Sequence, residues 1–261
     1  MKILIAGQAK SGTTALYYAL RQTLPPKYTC LFEPRSNTAG RDECVLAKVL
    51  INPSFKIDDF ETFNKKILIV RDPRDNLVSR LLYAIYDQKF FADDDKIGVF
   101  IERLEQKQRN PASVSLLELL KVFSDLSGED MLERFVLRHQ IGLEFDRLRR
   151  NYFVYKYEHF VAGQYSGLEE YLGFALNFNG NVDVFHSRVA RTKGSGDWRN
   201  WFTEQDVKYF SDTYHEYLTR YGYDVEWKLS PEPEILPKYS TEYVMRLVRE
   251  RRSAEDDFNL I

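Results

Sequence analysis

Cysteine and histidine are scarce in this sequence. Its 261 residues contain two cysteines, Cys30 and Cys44, and four histidines. Two cysteines are too few for a disulfide framework, and they lack the spacing of a metal-ligand motif. The sequence also has no Asp, Glu and His cluster of metal-site form. We therefore expect reduced thiols, a cytoplasmic protein and no metal cofactor.

Strong net charge and long hydrophobic runs are also lacking. The formal net charge is −2, which gives no overall electrostatic basis for binding nucleic acid, so any basic site must be local. No stretch approaches the roughly 18 apolar residues of a membrane span. The chain opens on the short apolar run 2–7, which is typical of a buried strand rather than of a signal peptide.

Short apolar runs that alternate with helical patterns predict the fold. The runs are Lys2–Ala6, Tyr28–Phe32, Val45–Ile51, Lys66–Val70 and Tyr152–Tyr157. This alternation is typical of an α/β fold, a parallel β-sheet flanked by helices.

We expect one domain over residues 1–229, with a helical insertion at about 96–150, and a tail over 230–261 that carries a charged helix. Two alternatives stay open for this C-terminal helix. It packs on its own domain, or it packs on a partner subunit and makes a homo-oligomer.

A glycine-rich turn, Gly7 to Thr14, lies between the first strand and the first helix. Backbone N–H groups at a helix N-terminus can bind phosphate oxygens, and Lys10 adds a positive charge. The spacing differs from that of a nucleotide triphosphatase loop, because the lysine precedes the second glycine. The alternative is an ordinary capped helix start.

A second candidate phosphate site runs from Arg71 to Ser79, after the fourth predicted strand. Asp72 is suited to cap a helix that starts at Pro73. Arg71 then stands at the carboxyl edge of the sheet, where ligands of open α/β sheets bind. The alternative is a helix cap with an Arg–Asp pair on the surface.

The segment from Arg191 to Thr203 combines basic residues, glycines and aromatic residues. A loop with two glycines can wrap an anion, and Trp198 and Phe202 are suited to anchor it. Thr203 and Asp206 form a capping-box pattern for the helix that follows.

These three segments, in this order, resemble the nucleotide-binding segments of sulfotransferases that use PAPS (3′-phosphoadenosine-5′-phosphosulfate). That family has a P-loop NTPase-like α/β fold. The first segment resembles P-K-S-G-T-T, with Ala9 in place of the proline. The second resembles R-[DN]-P-x-[DN]-x-x-x-S and matches at Arg71, Pro73, Asp75 and Ser79. The third resembles R-K-G-x-x-G-D-W-K-N-x-F-T and matches at Arg191, Gly196, Asp197, Trp198, Asn200, Phe202 and Thr203.

The resemblance implies transfer of a sulfuryl group from PAPS to an acceptor hydroxyl, with release of PAP, the desulfated product. The residues that it implies for binding the donor are Lys10, Ser11, Gly12, Thr13, Thr14, Arg71, Ser79, Tyr157, Arg191, Lys193, Gly194 and Gly196. The third segment departs from the family at Lys193. Ala15 stands where the cytosolic branch has an adenine-stacking tryptophan. Tyr157 is then either the adenine partner or a core tyrosine.

The family's catalytic histidine is absent from its usual segment. Leu50 stands in its place, two residues after Lys48, and all four histidines follow Arg71. Glu33 is the best replacement as general base. A glutamate in this role is similar to the bacterial and carbohydrate-type members of the family. The alternative is a solvated carboxylate at a strand end. Lys10 is the candidate for the leaving phosphate, and Lys48 is a candidate for contact with the sulfuryl group.

A carboxylate base implies a hydroxylated metabolite or a saccharide as acceptor. The aromatic residues Tyr83, Tyr86, Phe90 and Phe91 either line the acceptor pocket or belong to the core. Two alternative functions remain. One is a P-loop-type kinase, although the Gly-Lys pair and a strand-end Mg²⁺ ligand are missing. The other is a nucleotide-binding protein without catalysis.

Overall fold

The computed structural model describes residues 1–34, 36, 42–149, 151–181 and 184–259. The chain divides into two compact units. The first comprises Met1–Arg71 and Arg138–Ser187, and the second comprises Asp72–Leu137 and Arg188–Ile261. The expected division into a domain over 1–229 and a tail stays a prediction.

The first unit contains a parallel sheet with the strand order β2-β3-β1-β4-β5. The strands are β1 (Lys2–Gly7), β2 (Thr29–Phe32), β3 (Val45–Leu50), β4 (Lys65–Val70) and β5 (Tyr152–Lys156). Each lies within one residue of a predicted strand at both ends. The predicted fold class, a parallel sheet flanked by helices, is confirmed.

Helices account for most of the rest of the described chain. The α-helices are α1 (Thr13–Thr23), α2 (Pro73–Tyr83), α3 (Asp94–Arg109), α4 (Leu116–Ser127), α5 (Met131–Leu148), α6 (Tyr157–Val161), α7 (Ser166–Leu172), α8 (Trp198–Trp201), α9 (Glu204–Arg220) and α10 (Thr241–Asn259). Short 3₁₀-helices span Ile57–Phe60, Ala84–Asp87, Lys89–Ala92, Val184–Val189 and Pro237–Tyr239. No helix in the described ranges is long and apolar enough to cross a membrane.

The core of the first unit forms between α1 and the central strands. Ile3 and Ile5 of β1 are fully buried, and Leu16 and Leu20 of α1 pack in the same cluster. Central strands of a parallel sheet are covered on both faces, which explains why β1 and β4 are almost continuously apolar. Because all five strands run in one direction, their carboxyl ends lie at one edge of the sheet.

The helix starts of the second unit follow the predicted capping patterns. The Asp72 side chain accepts the N–H of Arg74, with Pro73 at the first position of α2. Thr203 and Asp206 form the predicted capping box of α9. The buried Asp206 carboxylate also accepts the N–H groups of Leu116 and Leu117 at the start of α4, each at 3.0 Å. One carboxylate therefore anchors the first turns of two helices.

The C-terminal helix α10 packs within the second unit. Tyr243, Val244, Leu247 and Val248 of this helix are buried and belong to the unit's main core. Arg252 donates to the backbone oxygen of Phe91 and pairs with Asp94. Of the two alternatives for this helix, packing on its own chain is the one observed, and a homo-oligomer stays a prediction.

Candidate active site

Every strand of the first unit carries a predicted site residue at or near its carboxyl end. Lys10 follows β1, Glu33 follows β2, Arg71 follows β4 and Tyr157 follows β5, while Lys48 lies two residues before the end of β3. Ligands of open α/β sheets bind along this edge. The parallel topology thus collects residues that are up to 147 positions apart in the sequence.

The turn after β1 is tight and internally hydrogen-bonded. The Ser11 hydroxyl donates to the carbonyl oxygen of Gln8 at 2.7 Å, and its backbone N–H donates to the same oxygen at 3.2 Å. A Cβ atom at Gly7 would lie 2.7 Å from the carbonyl oxygen of Ile69, so no larger residue fits. Gly12 caps α1 with a φ of 95°. Ser11 therefore shapes the turn that presents Lys10 and the first turn of α1.

Tyr157 joins two of the predicted phosphate-binding segments. Its ring lies against Gly12, where a Cβ atom would come within 2.3 Å of the ring, and Gly12 is needed for that close approach. The guanidinium of Arg71 lies 4.6 Å from the centre of the same ring. Arg71 also donates to the carbonyl oxygen of Lys10 at 3.1 Å. The ring is half-buried, so both the adenine role and the core role stay open for Tyr157.

Glu33 and Lys48 form an ion pair. Lys48 is 1 % exposed and lies 4.3 Å from the centre of the Phe32 ring, whereas the Glu33 side chain is 42 % exposed. Burial lowers the pKa of Lys48, and the Glu33 carboxylate opposes that shift. The pair therefore joins a buried ammonium group to a carboxylate that solvent can reach.

Left-handed backbone coincides with the predicted site. Outside glycine, φ is positive at Lys10 (66°), Glu33 (51°), Asn151 (60°) and Lys193 (53°) among the described residues. Asparagine adopts this region readily, but lysine and glutamate do so at a cost of about 1–3 kcal/mol. Such strain clusters at functional sites. It therefore supports a functional role for Lys10, Glu33 and Lys193.

In the second unit, Asp75 ties the second predicted segment to the third. Its buried carboxylate accepts the backbone N–H of Gly196 at 2.6 Å and that of Trp198 at 2.9 Å. Gly196 has a φ of 82°. Trp198 and Phe202 are buried, as the sequence predicts for anchors of this loop.

Arg74, which the sequence does not single out, is fully buried. It bonds both carboxylate oxygens of Asp72 and the backbone oxygens of Asp224 and Glu226. Its guanidinium lies 4.0 Å from the centre of the Trp198 ring. The alternative for this segment was an Arg–Asp pair on the surface, but the Arg74–Asp72 pair is buried. The sequence offers no signal for this, because burial follows from the distant residues that cover the pair.

Of the remaining predicted residues of the second unit, Arg191 and Ser79 have enclosed side chains, whereas Lys193 is exposed. Arg191 has a side chain that is 2 % exposed, pairs with Asp197 at 2.7 Å and donates to the backbone oxygen of Tyr239. Ser79 is buried on α2. The Gly194 N–H donates to the Thr192 hydroxyl at 3.3 Å. Arg191 thus already has a carboxylate partner, and its donor-binding role stays a prediction.

A cavity of about 440 Å³ lies beside the glycine loop. Three carboxylates, those of Asp197, Glu232 and Glu234, belong to its lining. Because negative charge repels a phosphate, this side of the loop does not suit the donor.

Within the described ranges, no group of three or more His, Cys, Asp or Glu side chains could hold a metal ion.

Comparison with known proteins defines the class of fold. No family model and no curated protein matches the sequence. The five-stranded parallel sheet with its flanking helices is a sulfotransferase-like α/β fold. A solved structure with this fold is mouse sulfotransferase SULT7A1 complexed with PAP, at a TM-score of 0.50 and 17 % sequence identity. The match covers 83 % of this chain and 84 % of the mouse chain, and at that identity it concerns the fold alone.

Proposed function

We propose that this protein transfers a sulfuryl group from PAPS to an aliphatic hydroxyl of a metabolite or saccharide and releases PAP. The observation that carries the proposal is the carboxyl edge of the sheet in the first unit. There the parallel strands end in two lysines, an arginine, a glutamate and a half-buried tyrosine. The mouse protein of the same fold is complexed with PAP, which supports a donor of this kind.

The donor's charge explains why cations would carry the reaction. PAPS has roughly four negative charges, counting its 3′-phosphate as nearly two. In an in-line transfer, further charge builds on the leaving phosphate and on the equatorial oxygens. Lys10 would stabilise the leaving phosphate, with backbone N–H groups at the start of α1. Arg71 would hold the 3′-phosphate by charge-assisted hydrogen bonds.

Glu33 would accept the proton of the acceptor hydroxyl. Its paired form is the carboxylate, which is the form that accepts a proton, and it is exposed enough to meet an acceptor. Lys48, held on Glu33, would contact the sulfuryl oxygens. A carboxylate base also supports an alcohol or sugar acceptor. The alternative of a pocket lined by Phe90 and Phe91 has less support, because both side chains are buried.

Ligand-dependent melting tests the donor. PAP without added metal should raise the melting temperature, because a ligand that binds only the folded state stabilises it. Arg71→Ala should lower PAP affinity by about 1.5–3 kcal/mol, the range for a hydrogen bond to a charged group. Lys121→Ala is the matched control, since Lys121 is an exposed cation that pairs with Asp125 on the surface.

Melting tests the first rival function, and a transfer assay tests the second. A kinase would be stabilised by ATP with Mg²⁺ and not by PAP, and that result would reject the proposal. A nucleotide-binding protein without catalysis would bind PAP but show no transfer from labelled PAPS to a panel of saccharides and alkyl alcohols.

A further inference from the structure

The side chain of Gln8 leaves the turn after β1 and lies against α5. Its amide nitrogen Nε2 donates a hydrogen bond to the backbone carbonyl oxygen of Arg138 at 2.7 Å. Both residues belong to the first unit, although they are 130 positions apart in the sequence. A carbonyl oxygen has two lone pairs, so it can accept this bond in addition to one within the helix. Gln8 therefore fixes the turn to a neighbouring helix.

Gly142 makes room for this side chain. A Cβ atom at Gly142 would lie 2.1 Å from Nε2 of Gln8 and 2.8 Å from its Cδ atom, so the amide occupies the space that a larger residue would fill. Gly142 lies in the interior of α5, where glycine is less favourable than alanine. The close approach of Gln8 gives the glycine at this position a packing reason. We call the contact of Gln8 with Arg138 and Gly142 the clasp.

The clasp acts on the residue that organises the turn. The backbone carbonyl oxygen of Gln8 accepts hydrogen bonds from both the N–H and the hydroxyl of Ser11. Lys10, between these two residues, has a left-handed φ of 66°. A strained backbone of this kind persists only where the surrounding contacts fix it. The hydrogen bonds of Ser11 fix it from within the turn, and the clasp fixes it from outside.

We propose that Gln8 is a positioning residue for Lys10 and for the backbone N–H groups at the start of α1, and that Gly142 is needed for this role. The inference rests on the proposed function, in which Lys10 stabilises the leaving phosphate. Gln8 acts through the turn, because its amide is bonded to Arg138. A misplacement of about 1 Å can lower a catalysed rate about 10²-fold, so a loosened turn should slow the transfer.

Two variants break the clasp from opposite sides. Gln8→Ala removes the donor, and Gly142→Ala displaces it, because the added Cβ atom meets the end of a flexible side chain. Gly142→Ala should at the same time favour the helix, so it separates positioning from stability. Gly98→Ala is the matched control, since Gly98 lies inside α3 and a Cβ atom there would meet nothing within 4 Å.

The measurements are kcat for transfer from labelled PAPS to an alcohol or saccharide, the melting temperature, and hydrogen exchange of the turn. Gln8→Ala and Gly142→Ala should each lower kcat about 10- to 100-fold and accelerate exchange at residues 9–14, and Gly142→Ala should melt no lower than the wild type. The double variant should lose no more kcat than either single variant, because both changes remove the same contact. Gly98→Ala should keep the wild-type kcat.

The outcomes separate the clasp from the function on which it rests. A wild-type kcat in either clasp variant, or losses that multiply in the double variant, would overturn the positioning role of Gln8. So would a lower kcat that comes with a lower melting temperature in Gly142→Ala, since that result would make the contact a structural one. A wild-type protein that transfers no sulfuryl group would overturn the proposed function instead, and exchange at residues 9–14 would still decide whether the clasp holds the turn.

Discussion

The Glu33–Lys48 pair joins an exposed carboxylate to a buried ammonium group. An ammonium group that is 1 % exposed would lose its proton readily, because burial disfavours the charged form. Glu33, which follows β2 and has a left-handed φ of 51°, opposes this effect through its ion pair with Lys48. The carboxylate is thus tied to the lysine while solvent still reaches it.

Glu33→Gln should lower turnover about 10²- to 10⁴-fold, as the loss of a general base does, with PAP affinity nearly unchanged. The measurement is transfer from labelled PAPS to an alcohol or saccharide acceptor. Glu61→Gln, at an exposed position, is the control and should keep the wild-type rate.

The pH profile separates a base from a charge partner. Without Glu33, burial alone acts on Lys48, so its pKa falls further and it loses its proton at a lower pH. If Glu33 served only to keep Lys48 charged, lowering the pH would restore Lys48 and the activity of Glu33→Gln. A lost base gives no such recovery. Recovery at low pH would therefore contradict the base assignment.

Among the secondary-structure elements, α2 and the loop before α8 behave as one assembly. Asp75 lies in the first turn of α2, where a carboxylate is favoured by the helix dipole. From there it holds the N–H groups of Gly196 and Trp198. Asp75, in the second predicted segment, thus holds the loop of the third segment in place.

Asp75→Ala should lower the free energy of unfolding by about 2–5 kcal/mol, because one buried and one partly buried N–H group lose a charged acceptor. Urea denaturation measures this loss, and hydrogen exchange at Gly196 and Trp198 should accelerate. Asp125→Ala removes an exposed pair with Lys121 and should cost about 0.3–0.5 kcal/mol. A loss at Asp75 no larger than at Asp125 would mean that these hydrogen bonds do not hold the loop.

On the scale of the whole molecule, the two units have separate cores. The first is built on strands and α1, and the second on α2, α4, α9 and α10 with the tryptophans of α8. Both the tail beyond residue 229 and the chain before it contribute to the second core. That core includes Ile235, Val244 and Leu247, all of which are buried.

A truncated protein that ends at residue 229 should lose the cooperative folding of the second unit. Burying one large apolar side chain contributes about 1.5–3 kcal/mol, and the tail supplies five to the core: Ile235, Tyr243, Val244, Leu247 and Val248. Their sum is comparable to the roughly 5–15 kcal/mol by which a whole domain is stable. Thermal melting followed by circular dichroism, with limited proteolysis, measures the effect.

Ending the chain at Ser253 instead keeps these side chains and Arg252, and should leave the melting temperature close to that of the full chain. Cooperative melting of the protein that ends at 229, near the full-length temperature, would support the sequence-based boundary and contradict a structural role for the tail.

The sequence by itself determined the five strands, the start of α1, the caps of α2 and α9, and the three segments with their order. These features depend on local physics, since apolar runs, capping side chains and glycine turns act within a few residues. Only the tertiary structure decided what the side chains meet: Tyr157 against Gly12, Lys48 on Glu33, and the burial of Arg74. Those contacts join residues far apart in the chain, so they follow from strand order and helix packing, which no local pattern encodes.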